Sequence, residues 1–173
     1  ESDLTKKACG LPVPTEPGDF AAGSLSLFSC YGLGYMLFEI TFIQRFGLYL
    51  DNLNTSLIAV LTGFLLFSGA GSYFAKKFSL ASALWCVLAA AAFACLIQIP
   101  LMQYTSGSPL TARVLLSILL VAPLAFFLGM PFPRTFDLIS PRLRALAYAV
   151  NALASVNGAT LATILVTSLG FNA

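Results

Sequence analysis

Histidine is absent from this chain, and charged residues make up only 9% of it. The first absence removes the commonest general base and the commonest metal ligand. The second excludes an ordinary water-soluble globule, in which about a quarter of the residues carry charge. The four cysteines, Cys9, Cys30, Cys86 and Cys95, are scattered, three of them in apolar runs, and none forms a CxxC or another ligand spacing. A zinc site and a disulfide framework are therefore poor readings, and small apolar packing residues are the better one. A net charge of +2 gives no reason to expect a nucleic-acid partner. Neither a nucleophile–base pair nor paired carboxylates nor a P-loop lysine occurs, so the chain reads as non-enzymatic.

What the sequence has in abundance is apolar length. Hydrophobic residues make up 58% of it and its mean hydropathy is +0.89. A bilayer core about 30 Å thick is crossed by ~20 apolar helical residues. By that measure five spans are expected: Phe20–Phe46, Thr55–Ala75, Leu80–Gln103, Leu110–Met130 and Ala145–Phe171. The fold class is thus all-α, a polytopic transmembrane bundle over 20–173 preceded by a polar tail or linker at 1–19. That tail is Pro-rich and is not a signal peptide. The chain starts at Glu1 and stops at Ala173 just after an apolar run, so a processed chain or part of a longer one is expected.

Short breaks separate the spans: DNLN at 51–54, KKFS at 76–79 and YTSGSP at 104–109. Asn54 and Ser79 can cap the helices that follow, and Pro109 suits a first helical turn. Lys6, Lys7, Lys76, Lys77, Arg134, Arg142 and Arg144 fall on the side of the tail, with only Arg45 and Arg113 opposite. The positive-inside rule makes the tail side cytoplasmic. The loop GMPFPRTFDLISPRLR at 129–144 is richer than the others. Its Pro131 and Pro133 end the fourth span. Phe136, Leu138, Ile139 and Leu143 can then lie along the membrane surface while Arg134, Arg142 and Arg144 meet anionic headgroups. An ordinary basic loop is the equally weighted alternative.

One carboxylate interrupts the apolar pattern. Glu39 lies inside GLGYMLFEITFIQRF at 32–46, where an acid near a helix centre costs about 2.5 to 3.5 kcal/mol. Gly32, Tyr35, Met36, Glu39 and Ile43 share a helical face, Gly32 and Gly34 allow a neighbour to come close, and Tyr35 can donate to the carboxylate. Gln44 and Arg45, five and six residues on, do not stack over it. Two readings stay open: a coupling carboxylate in a transport path, or an acid held by a polar partner that fixes packing. With no second acid or base in the membrane, the structural reading carries more weight.

The last span has a small and polar stripe. Asn151, Ser155, Gly158 and Ala162 follow the i, i+4, i+7, i+11 rhythm, with Asn157 and Thr160 nearby. Close helix packing is its default meaning, and a polar lining headed by Asn151 the sharper one. LLFSGAGS at 65–72 lacks both the dinucleotide and the P-loop pattern, so its glycines are read as helix contacts. Pro123 is expected to kink the fourth span.

Four of these strings, in order, carry a resemblance: GLGYMLFEITFIQRF at 32–46, LLFSGAGS at 65–72, GMPFP at 129–133 and YAVNALASVNGATLATILVTSLGF at 148–171. Together they resemble the membrane region of the large bacterial proteins described as fused transporter/spermidine-synthase-like proteins, over about residues 20–171. The resemblance places Glu39, Gln44 and Arg45 on that family's characteristic span, and Asn151 and Gly158 on its last motif. Long members also carry a Rossmann-like aminopropyltransferase-type domain with a Gly-rich nucleotide loop and acidic catalytic residues. Nothing in 1–19 or the short loops can form it, so polyamine synthesis is not assigned, and a final span after Phe171 is expected to be missing.

The resulting expectation is a non-catalytic membrane subunit or anchor domain of a larger assembly in a bacterial cytoplasmic (inner) membrane, with the lipid bilayer and other proteins as partners. The alternatives are a transporter-like half-bundle using Glu39, and the membrane domain of a transferase whose catalytic domain lies elsewhere. No cofactor motif is evident, although apolar helix faces can take lipids, quinones or pigments without one.

Overall fold

The computed structural model describes residues 17–169. Among these described residues six α-helices follow one another: α1 (Pro17–Tyr49), α2 (Leu53–Phe74), α3 (Leu80–Tyr104), α4 (Leu110–Leu128), α5 (Pro131–Leu138) and α6 (Pro141–Leu169), with a 3-10 turn at Ala75–Lys77. The described residues contain no strand. Five segments, including α4 continued through α5, are long and apolar enough to cross a membrane. The all-helical, five-span architecture therefore stands. The expected tail at 1–19 lies almost wholly outside the described residues, along with Lys6, Lys7 and Cys9; α1 begins at Pro17.

Burial explains why water is the wrong solvent for this bundle. Only 17% of the α6 span and 39% of the most covered span, α4 with α5, is enclosed by protein. Leu65, Leu66, Leu96, Leu119, Leu153 and Val156 are all largely exposed. Such a continuous apolar surface is stable only where lipid covers it, and every backbone group of a helix is already bonded internally. Exposed Tyr73, Trp85 and Tyr148 sit at the end that carries Lys76, Lys77, Arg134, Arg142 and Arg144, while exposed Tyr104 sits at the other. Aromatic side chains of this kind mark the two membrane–water interfaces.

Helix ends follow from local chemistry, with several differences from the sequence reading. Asn52, rather than Asn54, caps α2: its Oδ1 accepts from the backbone N–H groups of Asn54 (3.0 Å) and Thr55 (3.2 Å). The reversal before it is tight because Asp51 adopts φ 53°, a left-handed conformation that Asp tolerates better than most residues. Ser79 does cap α3, accepting from the Ser82 N–H at 3.1 Å. Pro109 precedes the first turn of α4 and occupies its cap position. α4 stops at Leu128, and Pro131 opens a new helix, α5, at its first position, where the missing N–H costs nothing. The fifth span starts at Pro141, earlier than Ala145, so Arg142 and Arg144 belong to α6.

The helices are arranged as α6–α1–α2–α4–α3, with α3 folded back toward α1 across a cleft. The two most extensive pairings, α1 with α6 and α2 with α4, both join helices that run in the same direction. Each is held close by glycine. A Cβ on Gly71 of α2 would run into the Phe126 carbonyl of α4, and one on Gly129 would run into the Ser68 carbonyl of α2. In α1–α6, Gly32 lies on the Asn151 carbonyl, and Gly158 lies on Leu33. Without side chains at these points the backbones touch, which multiplies dispersion contacts in a solvent that supplies no hydrophobic drive.

Between these pairs lies the core. Phe42, Ile43, Phe46, Val60, Phe64, Val121 and Leu124 are buried together, and the buried Ser56 hydroxyl donates to the Ile43 carbonyl at 2.6 Å, tying α2 to α1. One end of the bundle is cross-tied by polar groups. Arg113 pairs with Asp51 at 3.2 Å and lies over the Tyr49 ring, and the Tyr49 and Thr105 hydroxyls are 2.7 Å apart.

Candidate functional site

Glu39 is buried, with 5% of its surface exposed. The residues one turn away from it face α2. Tyr35 meets Phe64 edge-on at 5.3 Å, Phe42 meets the same ring at 6.0 Å, and the Ile43 carbonyl takes the Ser56 hydroxyl. The bond expected from Tyr35 to Glu39 is not formed; the Tyr35 hydroxyl is paired with the Ser68 hydroxyl of α2 at 3.3 Å. Among the described residues, no side-chain hydrogen bond or ion pair involves Glu39.

The stripe that contains Glu39 is split between two neighbours. Gly32 lies against α6, at Asn151 and Ser155, whereas Tyr35 and Ile43 lie against α2. Gly34, expected to share this role, has open space where its side chain would be.

Arg45 points to a different surface from Glu39. With Phe38, Thr41 and Phe42 of α1 and Ala91, Ala94, Cys95 and Gln98 of α3 it lines a cavity of about 70 Å³. Gln44, half-buried, is not in that lining. The structure therefore does not bring Glu39, Gln44 and Arg45 to one point. Gln98 was not singled out from the sequence, although it is a lone amide in the apolar string ACLIQIPLM and so carried a signal.

On α6, Asn151 and Ser155 are half-buried and Gly158 and Ala162 are buried, all on the side of α1. Ser155 donates to the Asn151 carbonyl at 2.8 Å. Asn157 points elsewhere; it is exposed, and its amide reaches only the Leu153 carbonyl of its own helix, at 2.9 Å.

The basic loop folds inward more than the sequence reading expected. Phe28 and Ile139 are buried together, with Tyr31, Phe132, Phe136 and Leu143 around them, so Phe136, Ile139 and Leu143 face α1 rather than the membrane surface. The Thr135 hydroxyl lies 3.0 Å from that of Tyr31, which docks α5 on α1. Arg142 is exposed, whereas Arg134 and Arg144 are half-buried and the Arg144 guanidinium lies 5.2 Å from the centre of the Phe136 ring. The Nε of both Arg134 and Arg144 is buried without a hydrogen-bond partner among the described residues. Cys30 and Cys95 are exposed, not packed in a core, and Cys86 is intermediate. Among the described residues, no three His, Cys, Asp or Glu side chains converge as metal ligands.

Compared with protein-family models, curated proteins and solved structures, the chain matches none of them.

Proposed function

We propose that this chain is the membrane subunit, or the membrane anchor domain, of a larger bacterial assembly, and that it carries out no chemistry of its own. Asn157 is the observation that carries this reading. It lies near the middle of α6 on a face that no other helix among the described residues covers, and one hydrogen bond within its own helix leaves most of its amide unsatisfied. A polar group in hydrocarbon gains from a partner on another helix, by about 0.6 kcal/mol on average and up to ~1.7 kcal/mol. Leu153, Asn157, Thr160 and Ile164 share a stripe at i, i+4, i+7 and i+11, and all four are exposed. A transmembrane helix of another subunit or domain would cover it. The resemblance to spermidine-synthase-like membrane proteins supports the same reading, since in that family such a bundle accompanies a soluble domain. The basic residues clustered at one end support a cytoplasmic placement of that end.

Purification in a mild detergent tests this. The chain is expected to run with a second component, and Asn157→Leu to release it. A chain that runs alone, and is unchanged by the substitution, would overturn the proposal.

A second reading is favoured by Glu39, a buried acid without a side-chain partner among the described residues. Intramembrane acids of this kind mark ion or substrate paths. In a transporter-like half-bundle Glu39 would be the coupling carboxylate and Asn151 a lining group. Uptake by proteoliposomes should then be lost in Glu39→Gln; uptake that survives the change removes the role.

A further inference from the structure

The cleft between α1 and α3 is built differently from the rest of the bundle. Its walls are apolar: Phe38 and Phe42 on α1, Ala91 and Ala94 on α3. Two donors also line it. Gln98 has 3% of its surface exposed, and its buried Nε2 has no hydrogen-bond partner. Arg45 is half-buried, and the single ion pair among the described residues, Arg113 with Asp51, does not include it. The remaining polar wall group, the Thr41 hydroxyl, is already committed to the Leu37 carbonyl at 2.6 Å. A buried amide donor left unmade costs about 1–3 kcal/mol, so an acceptor brought into the cleft would recover part of that.

Depth orders these groups. At 1.5 Å per residue, Arg45 lies about 6 Å below the end of α1 at Tyr49, and Gln98 about 9 Å below the end of α3 at Tyr104. Phe38 and Ala91 lie roughly 16 and 20 Å down. From the interface inward the cleft presents a cation, then a neutral donor, then apolar wall. An anionic phospholipid has the matching sequence of groups: a charged headgroup, ester carbonyls, then acyl chain.

We propose that this cleft is a binding site for an anionic phospholipid of the surrounding leaflet. The phosphate lies at the Arg45 guanidinium, an ester carbonyl accepts from Gln98 Nε2, and one acyl chain follows Phe42, Ala94, Phe38 and Ala91. The cavity of about 70 Å³ holds only the upper part of that chain, and the rest of the lipid stays in the bilayer. Cys95, exposed at the rim, is a position for a reporter.

Native mass spectrometry of the full chain, extracted from vesicles of phosphatidylglycerol and phosphatidylcholine in equal amounts, tests the assignment. Phosphatidylglycerol should be retained in preference, and Arg45→Gln or Gln98→Leu should each weaken its retention about tenfold or more. Ala91→Phe fills the cleft without touching either donor and should displace the lipid as well, while Arg45→Lys, which keeps the charge, should retain it. Melting of each variant in detergent separates loss of lipid from loss of fold, and a variant that does not fold is replaced by its conservative partner, Gln98→Asn or Ala91→Leu. Equal retention of the two lipids, or full retention of phosphatidylglycerol by Arg45→Gln, would overturn the proposal. So would retention of added oleate with no phosphatidylglycerol bound, because the occupant would then be a free fatty acid.

Discussion

Gly158 of α6 lies directly on the backbone of Leu33 in α1: a Cβ built on it would stand 2.7 Å from the Leu33 carbonyl oxygen. The facing atom is backbone, so it cannot rotate away. Gly158→Val should therefore push α6 off α1 and destabilise the bundle by about 1–3 kcal/mol, the usual cost of overpacking a tight contact. Thermal unfolding in detergent checks the size of the effect. A cysteine pair placed across α1 and α6 should cross-link in the parent and fail to do so in the variant.

The string LLFSGAGS offers an internal control. Gly71 is buried against the Phe126 carbonyl, whereas Gly69, two residues earlier, faces open space. Gly71→Ala is expected to destabilise by a similar 1–3 kcal/mol, and Gly69→Ala to be neutral or to stabilise by at most about 1 kcal/mol through better helix propensity. Equal melting temperatures for the two variants would contradict the α2–α4 contact.

Ser56→Ala removes the buried hydroxyl that α2 donates to the Ile43 carbonyl. That carbonyl keeps its bond within α1, so the expected cost is small, about 0.6 kcal/mol. A loss beyond about 2 kcal/mol would mean that Ser56 holds more than this one bond.

Asp51 and Arg113 should not be equivalent. Asp51 is 82% exposed on its side of the pair, so Asp51→Asn should cost well under 1 kcal/mol, and the cost should disappear in high salt. Arg113 also covers the Tyr49 ring at 4.8 Å, so Arg113→Ala should cost more and keep part of its effect in salt. Unfolding of both variants at low and high ionic strength separates the two contributions.

The number of spans was legible in the sequence because a run of about 20 apolar residues has few other uses. Ends were harder. Arg45 looked like a border of the first span, yet α1 continues to Tyr49 because a long side chain can lie in a cleft with its charge near the interface. Pro141 looked like part of a loop, yet it opens α6, since proline fits a first helical position. Partner choice was not legible at all. Gly32 and Gly34 differ only in which direction they face, and the helix that meets one of them lies more than a hundred residues further along the chain. The Tyr35 hydroxyl had Glu39 in reach by spacing and took Ser68 instead, which only the position of α2 could decide.

The parallel pairing of α1 with α6 also fixes an order of events during synthesis. Gly32 receives its neighbour from residues 151 and 155, so its face of α1 stays uncovered while three further hydrophobic segments are made and threaded into the membrane. Until α6 arrives, the glycine face of α1 is open to any other helix nearby. Truncation before α6 should therefore leave an insertion intermediate that is captured by foreign helices or by membrane quality control.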